Sequence, residues 1–261
     1  MADIKVRHHT TRRFTALMNA YSRKRRAATL IRARSHQSLL NAYESNLTDW
    51  RKSQEMSASD FNVLETLGIV SDELKHSLML AWLLDHRIER AGTHAQGNLG
   101  FRLFLAKTGL SKNGYAKTDY FVSREVKGDY SRVDVEVSAA EHFIIHLENK
   151  IYSEEGTDQQ NKQDQTKREW IDLQRRAKYL AVKPEHIHAF FVTLSGKKPS
   201  CDHFVPLPWH SIADVLDEFA KLAKAPEVSL FANHYARALR RMTQQITWDE
   251  DDKETEHSPR P

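Results

Sequence analysis

Two acid-bearing segments stand near the middle of the chain, Arg132-Val-Asp-Val-Glu-Val137 and Phe143-Ile-Ile-His-Leu-Glu-Asn-Lys-Ile151. Both read as β-strands, and the apolar run that leads into the second marks it as an inner one. Side chains along a strand alternate between faces, so Asp134 and Glu136 share a face, as do Glu148 and Lys150. If the two strands form a hairpin turning near Ala140–Glu141, Asp134 falls opposite Glu148, and two carboxylates converge beside one ammonium. Carboxylate oxygens suit Mg²⁺, a hard six-coordinate ion that retains waters, with Mn²⁺ as a substitute. Such an ion can polarise a phosphodiester oxygen and lower the proton affinity of a water. A lysine beside it can orient that water or offset charge on a pentacoordinate transition state.

The acid-x-Lys tripeptide carries little information by itself, since Asp3-x-Lys5, Glu73-x-Lys75, Glu125-x-Lys127 and Asp251-x-Lys253 also occur. What singles out Glu148 is its place at the end of Phe143-Ile-Ile-His-Leu147, with a second acid-bearing strand upstream. The same pattern also describes a strand end that emerges into solvent with a surface ion pair. The residues alone leave both readings open.

The surrounding elements can be read from period and punctuation. Ser71 or Asp72 can cap a helix running through Asp85, because their side-chain oxygens accept the free N–H groups of a first turn. From Leu78 this helix is apolar on all sides and is expected to be central, with Trp82 in the core. Gly92, Gly97 and Gly100 mark a loop, followed by a short helix around Phe101–Leu105. Tyr120–Val126 reads as a further strand. Residues 154–180 are polar, glutamine-rich and helix-compatible. His188-Ala-Phe-Phe-Val-Thr-Leu194 reads as a buried strand stopped by Gly196. Two helices close the body, near 211–223 and 229–246; Phe231, Tyr235, Leu239, Met242 and Ile246 recur in the second at helical spacing.

These blocks, in this order, resemble the PD-(D/E)XK nuclease superfamily, in particular its small bacterial and phage proteins with a buried Leu-Ala-Trp-Leu-Leu-type helix. The resemblance runs over about residues 60–245. It is carried by Phe61-Asn-Val-Leu-Glu-Thr-Leu-Gly68, Glu73-Leu-Lys-His-Ser77, Ala81-Trp-Leu-Leu-Asp85, His94 with Gly97, and Phe101 with Phe104-Leu105. It continues in Arg132-Val-Asp134, Glu148-Asn-Lys-Ile151, Glu155, Gln159, Phe191-Val-Thr-Leu-Ser-Gly196 and the helix bearing Tyr235. The resemblance implies a restriction-endonuclease-like α/β core, a mixed central sheet flanked by helices on both faces; the N-terminal helical extension expected from residues 1–58 lies outside it. It implies that Asp134 and Glu148 are metal ligands and that Lys150 is the catalytic lysine. Glu73 would complete the metal site from the central helix, although the helix dipole also favours an acid in a first turn without any catalysis. Gln159 would face the site from the helix after the Glu-x-Lys strand, or be one more polar residue of a polar helix. DNA is favoured over RNA as substrate through the resemblance alone. Departures are His86 after Asp85, where proline is common, and Gln160 and Gln163 where Leu and Tyr usually follow the glutamine.

Composition bounds the alternatives. The 261 residues are 40% hydrophobic and 28% charged, which suits a globular domain. No apolar run is long enough to span a membrane, and the N-terminus lacks a signal-type stretch. Cys201 is the sole cysteine, which excludes a disulfide framework and a thiol-rich zinc site, so a reducing cytoplasmic setting is expected. No His-Glu-x-x-His, P-loop or Gly-x-Ser-x-Gly elbow occurs among the residues, although there are 14 histidines. Of these His76, one turn from Glu73, is the one to examine, and His146 follows. Residues 1–58 form an expected basic helical arm, with 12 Lys/Arg against three acids over the first 52 positions, and apolar stripes at Phe14, Leu17/Met18 and Tyr21 and at Leu40, Tyr43, Leu47 and Trp50. Such an arm can bind a nucleic-acid backbone, or join a homo-oligomer or a partner protein, for instance in a phage-defence or repair assembly. Residues 59–247 are the expected nuclease-like domain. The acidic 248–261 segment is expected to be a disordered tail. The rival to an enzyme is a non-catalytic nucleic-acid-binding or assembly subunit that keeps the fold.

Overall fold

The Pro- and Gly-free run at the start of the chain forms one long helix, α1 (Ala2–Ser57). The computed structural model describes residues 2–58, 60–153, 155–158 and 163–256. It divides into two compact units, residues 1–61 and 62–261. In the first, Tyr21, Leu39, Leu40, Tyr43 and Trp50 are exposed, so α1 carries apolar side chains in water along much of its length. The side chains of Phe14 and Leu17 lie outside the described residues. Among the described residues no helix is long and apolar enough to cross a membrane.

The second unit begins with a single turn, α2 (Val63–Thr66), and the central helix α3 (Glu73–Leu84). Asp72 caps α3, its carboxylate accepting the N–H groups of Leu74 and Lys75. His76, Ser77, Met79, Leu80, Ala81, Leu83 and Leu84 are buried, so α3 lies in the core as its all-round apolarity requires. Helix α4 (Leu99–Lys107) starts before the expected Phe101 and takes in Gly100. A Cβ at Gly100 would lie 1.9 Å from the Leu83 carbonyl oxygen, so glycine there permits the close packing of α3 and α4.

Strands β1 (Phe121–Lys127), β2 (Arg132–Ala139) and β3 (Phe143–Asn149) form an antiparallel meander. Every residue of β3 is buried, as befits the third strand in a sheet of five. The segment between β3 and the next helix, expected to be helical, instead holds a small antiparallel ladder of β4 (Thr157–Asp158) and β5 (Gln163–Asp164). Helix α5 (Gln165–Tyr179) follows, and β6 (Ile187–Thr193) then pairs parallel to β3. Gly196, at φ +75°, turns the chain out of β6 in a conformation that favours glycine. Strand β7 (Val205–Pro208) adds parallel to β6 at the sheet edge. It was not expected, because Pro206 and Pro208 break a strand pattern; an edge position tolerates them. The order is thus β1-β2-β3-β6-β7, a mixed sheet.

Helices α6 (Trp209–Leu222) and α7 (Pro226–Glu256) close the chain. The α7 backbone continues past the expected end near 246 through the acidic segment to Glu256, and the Ile246 side chain lies outside the described residues. The larger core joins α3, α4, α6 and α7 to Phe143, Ile145 and Leu147 of β3. A smaller core on the other face joins Leu173 and Ala177 of α5 to Ile144, Ala189 and Phe191. Strand alternation therefore turns Leu147 and Asn149 towards α3, and Ile144, His146 and Glu148 towards α5. This is the fold class the sequence implied.

Candidate active site

The β2–β3 register pairs Val135 with Leu147, and its next step sets Asp134 opposite Glu148, as the hairpin argument required. Asp134 sits just beyond the last paired residues of the β2–β3 ladder. Its Oδ2 accepts hydrogen bonds from the backbone N–H of Asn149 at 2.9 Å and from Asn149 Nδ2 at 2.7 Å. The same Asn149 amide donates to Ser77 Oγ of α3 at 2.8 Å. The residue between Glu148 and Lys150 thus ties Asp134 to the central helix.

Lys150 lies just past β3, where its N–H donates to the Val192 carbonyl at 2.8 Å and its own carbonyl accepts from Trp209 Nε1 at 3.2 Å. With the backbone pinned on both sides, its ammonium reaches Glu148 Oε1 at 2.9 Å and stands 3.9 Å from Glu73 Oε2. Glu73 opens α3 and turns its other oxygen, Oε1, to the Ile151 N–H at 3.0 Å and the Ser153 hydroxyl. It therefore does more than favour a helix dipole, since it holds the chain directly after Lys150.

Two further side chains complete the cluster, and the sequence reading missed both. Gln165, at the start of α5, donates from Nε2 to Glu148 Oε1 and, at 2.8 Å, to Glu169 Oε1. Gln159 lies outside the described residues; among the described ones it is Gln165 that reaches Glu148 from the helix after β3. The start of α5 is anchored by Glu155, which accepts from the N–H and hydroxyl of Thr166 and from the N–H and hydroxyl of Ser200. Burial raises the Glu155 carboxyl, but these four bonds outweigh it and hold the group below the usual range. The available signal was the i, i+4 spacing of Gln165 and Glu169, which puts them on one helix face. That face is polar where it is buried, so hydropathy did not reveal it.

The electrostatics follow from burial. Glu148 and Glu169 are each 1% exposed. Burial, then the Asp134 charge, pushes the Glu148 carboxyl up to about 8, against the pull of Lys150. Burial and the Glu148 charge raise Glu169 well above the usual carboxylate range. Asp134 is also raised, by burial first, with the Asn149 N–H and Lys150 acting in the other direction. Burial disfavours the Lys150 ammonium, but Glu148, Glu73 and Asp134 outweigh it and hold the lysine protonated. The site is a protonated lysine among buried carboxyl groups that hold their protons above the usual carboxylate range.

Each carboxylate is fixed through one oxygen. Asp134 uses Oδ2, Glu73 Oε1, Glu148 Oε1 and Glu169 Oε1, while Glu148 Oε2 and Glu169 Oε2 are buried and find no donor among the described residues. Hard oxygen donors held in this way fit a divalent cation such as Mg²⁺. Among the described residues no group of three or more His, Cys, Asp or Glu side chains is arranged to hold an ion alone. That excludes a closed protein cage among those residues; Mg²⁺ is commonly held by one or two carboxylates with waters and substrate phosphates.

The histidines are used elsewhere. His76 donates from Nε2 to the Val70 carbonyl at 2.7 Å, so its Nδ1 accepts from the Tyr235 hydroxyl at 2.9 Å. Burial lowers its proton affinity, and its two nitrogens tie α3 to α7 and to the loop that precedes α3. His146 shares the Glu148 face but pairs with Glu136 at 3.0 Å. Burial raises Glu136, yet His146, Arg176 and Ser138 together hold it below the usual range. His186 and His188 both meet the Tyr115 hydroxyl at 2.9 Å, at the start of β6 and away from the carboxylate cluster.

A family model of the PD-(D/E)XK nuclease superfamily matches residues 61–255. No curated protein and no solved structure matches the chain.

Proposed function

The chain belongs to the PD-(D/E)XK nuclease superfamily, and from that premise we propose that it hydrolyses phosphodiester bonds of DNA in a Mg²⁺-dependent reaction at Asp134, Glu148 and Lys150. The observation that carries this reading is the set of carboxylates each fixed through one oxygen, beside a lysine whose backbone is pinned on both sides. Asp134 and Glu148 would hold the ion, with Glu73 alongside. Bound there, Mg²⁺ would supply positive charge that polarises a phosphate oxygen and eases deprotonation of water.

The chain's own residues do the rest. The Lys150 ammonium, kept charged by its acidic neighbours, orients the attacking water or offsets charge that builds on the phosphoryl oxygens. Gln165 fixes the rotamer of Glu148, and Asn149 fixes that of Asp134, so both acids are set before substrate arrives. Glu73 restrains the segment that follows Lys150. The excess of basic residues in 1–52 adds affinity for the phosphate backbone through counterion release. The exposed Leu39, Leu40, Tyr43 and Trp50 of α1 favour a second use of the same helix, in self-association or in docking a partner protein.

The direct test incubates the purified chain with plasmid, linear duplex, single-stranded DNA and RNA, with Mg²⁺, Mn²⁺ or a chelator. DNA cleavage that needs the ion and disappears in Glu148→Ala is the expected result. Cleavage that persists in the chelator, or in the variant, contradicts the reading.

A further inference from the structure

The start of α5 brings a second buried acid against the Glu-x-Lys strand. Gln165 and Glu169 lie one turn apart on the helix face that covers Ile144, His146 and Glu148. One amide, Gln165 Nε2, binds Oε1 of both glutamates, which clamps the two carboxyl groups side by side. Their remaining oxygens, Glu148 Oε2 and Glu169 Oε2, are buried and find no donor among the other described residues, while the two carboxyls lie within hydrogen-bond reach of each other. Two such groups in contact in the interior are costly unless something positive lies between them. The ammonium at the site, Lys150, is bonded to Glu148 Oε1 alone of the pair and otherwise faces Glu73. Arg176, two turns further along α5, is bonded to Glu136. A pair that only filled space would be better served by apolar or amide side chains of similar volume. Hard oxygens turned towards one another, at the end of the strand that presents Lys150, are a donor set for a divalent cation.

We propose that Glu169 is a further ligand of the divalent cation, sharing it with Glu148 from the α5 side. This assignment rests on the metal-dependent reading above, and it makes α5 part of the metal site. The rival is a carboxyl pair that shares a proton and serves packing alone.

Mn²⁺ binding to the full-length chain separates the two without reference to cleavage. Isothermal titration and Mn²⁺ electron paramagnetic resonance would compare wild type, Glu169→Gln, Glu169→Asp and Asp134→Asn, with the metal-free melting temperature of each recorded. In E169Q the amide N–H can donate to Glu148 Oε2, so the metal-free protein should melt no lower than wild type. Its Mn²⁺ dissociation constant should weaken at least about tenfold, since even indirect supports of a metal site cost 10–100-fold. E169D, which keeps the charge on a shorter reach, should recover part of that loss. If E169Q and E169D both bind Mn²⁺ as wild type does while D134N is weakened, Glu169 is not a ligand and the nuclease reading stands. If wild type itself binds no Mn²⁺, the metal-dependent reading fails, and this assignment with it.

Discussion

At Glu148 burial and Lys150 pull in opposite directions, and burial with the Asp134 charge wins, lifting the carboxyl from its ordinary 4.5 to about 8. The consequence for stability has a definite sign. Between about 4.5 and 8 the folded metal-free chain holds more protons at this site than the unfolded chain, so stability is present at the acid end and is lost as pH rises. Melting temperatures of metal-free wild type and Glu148→Gln, taken from pH 5.5 to 8.5, should converge or cross as pH rises, with wild type falling relative to the variant. A wild type that gains on the variant with rising pH would contradict the electrostatics described here. Mg²⁺ should raise the melting temperature more at pH 8 than at pH 6, because binding must displace the proton. At this scale strand alternation put Asp134, Glu148 and Lys150 on one face and the family resemblance added Glu73, and the structure brings Lys150 between Glu148 and Glu73. The sequence did not disclose Asn149, which looks like a spacer in Glu-x-Lys yet joins Asp134 to Ser77.

Elements differ in legibility for a physical reason. Strand β3 is buried along its whole length, so its apolar run announced it, and α3 did the same with its cap and its all-round apolar turns. Helix α5 hid its role because three of its five buried residues, Thr166, Glu169 and Asp172, are polar. Hydropathy cannot register a face that is buried to do chemistry or to hold a loop. Asp172, for example, accepts from the N–H groups of Asp129 and Tyr130 and from the Ser131 hydroxyl, and so fixes the β1–β2 turn. Strand β7 was hidden by its two prolines. The anchoring of α5 by Glu155 yields a prediction at this scale. Glu155→Ala removes four hydrogen bonds and leaves the Thr166 and Ser200 N–H groups without this acceptor, which should cost about 1–3 kcal/mol in denaturant unfolding. It should also slow single-turnover cleavage, because Gln165 stands at the loosened end. Unchanged stability and rate together would show that α5 is held by something else.

Over the whole molecule, charge is divided unevenly: the first 52 residues hold 12 Lys/Arg and three acids in a chain of net charge +4. If α1 tracks a phosphate backbone, replacing Arg23, Lys24, Arg25 and Arg26 by Gln should flatten the salt dependence of DNA binding. Each lost contact lowers the slope of log K against log salt by about 0.9. An unchanged slope would remove α1 from the DNA and leave self-association or a partner for Leu39, Leu40, Tyr43 and Trp50, which sedimentation of the full chain reads directly. Composition pointed to this division, but no pattern in the arm chooses between these uses, because its apolar positions and its charges lie on the same helix. The central claim concerns the body, where one cluster of side chains is proposed to cut the phosphodiester bond. It is tested most directly by the single-turnover rate of DNA cleavage, measured with saturating Mg²⁺ on wild type and Lys150→Ala at matched DNA occupancy. The account predicts that Lys150→Ala still binds DNA but loses at least about a hundredfold in rate, the scale of removing one donor that stabilises developing charge. A Lys150→Ala protein that cleaves within a few fold of wild type would contradict it.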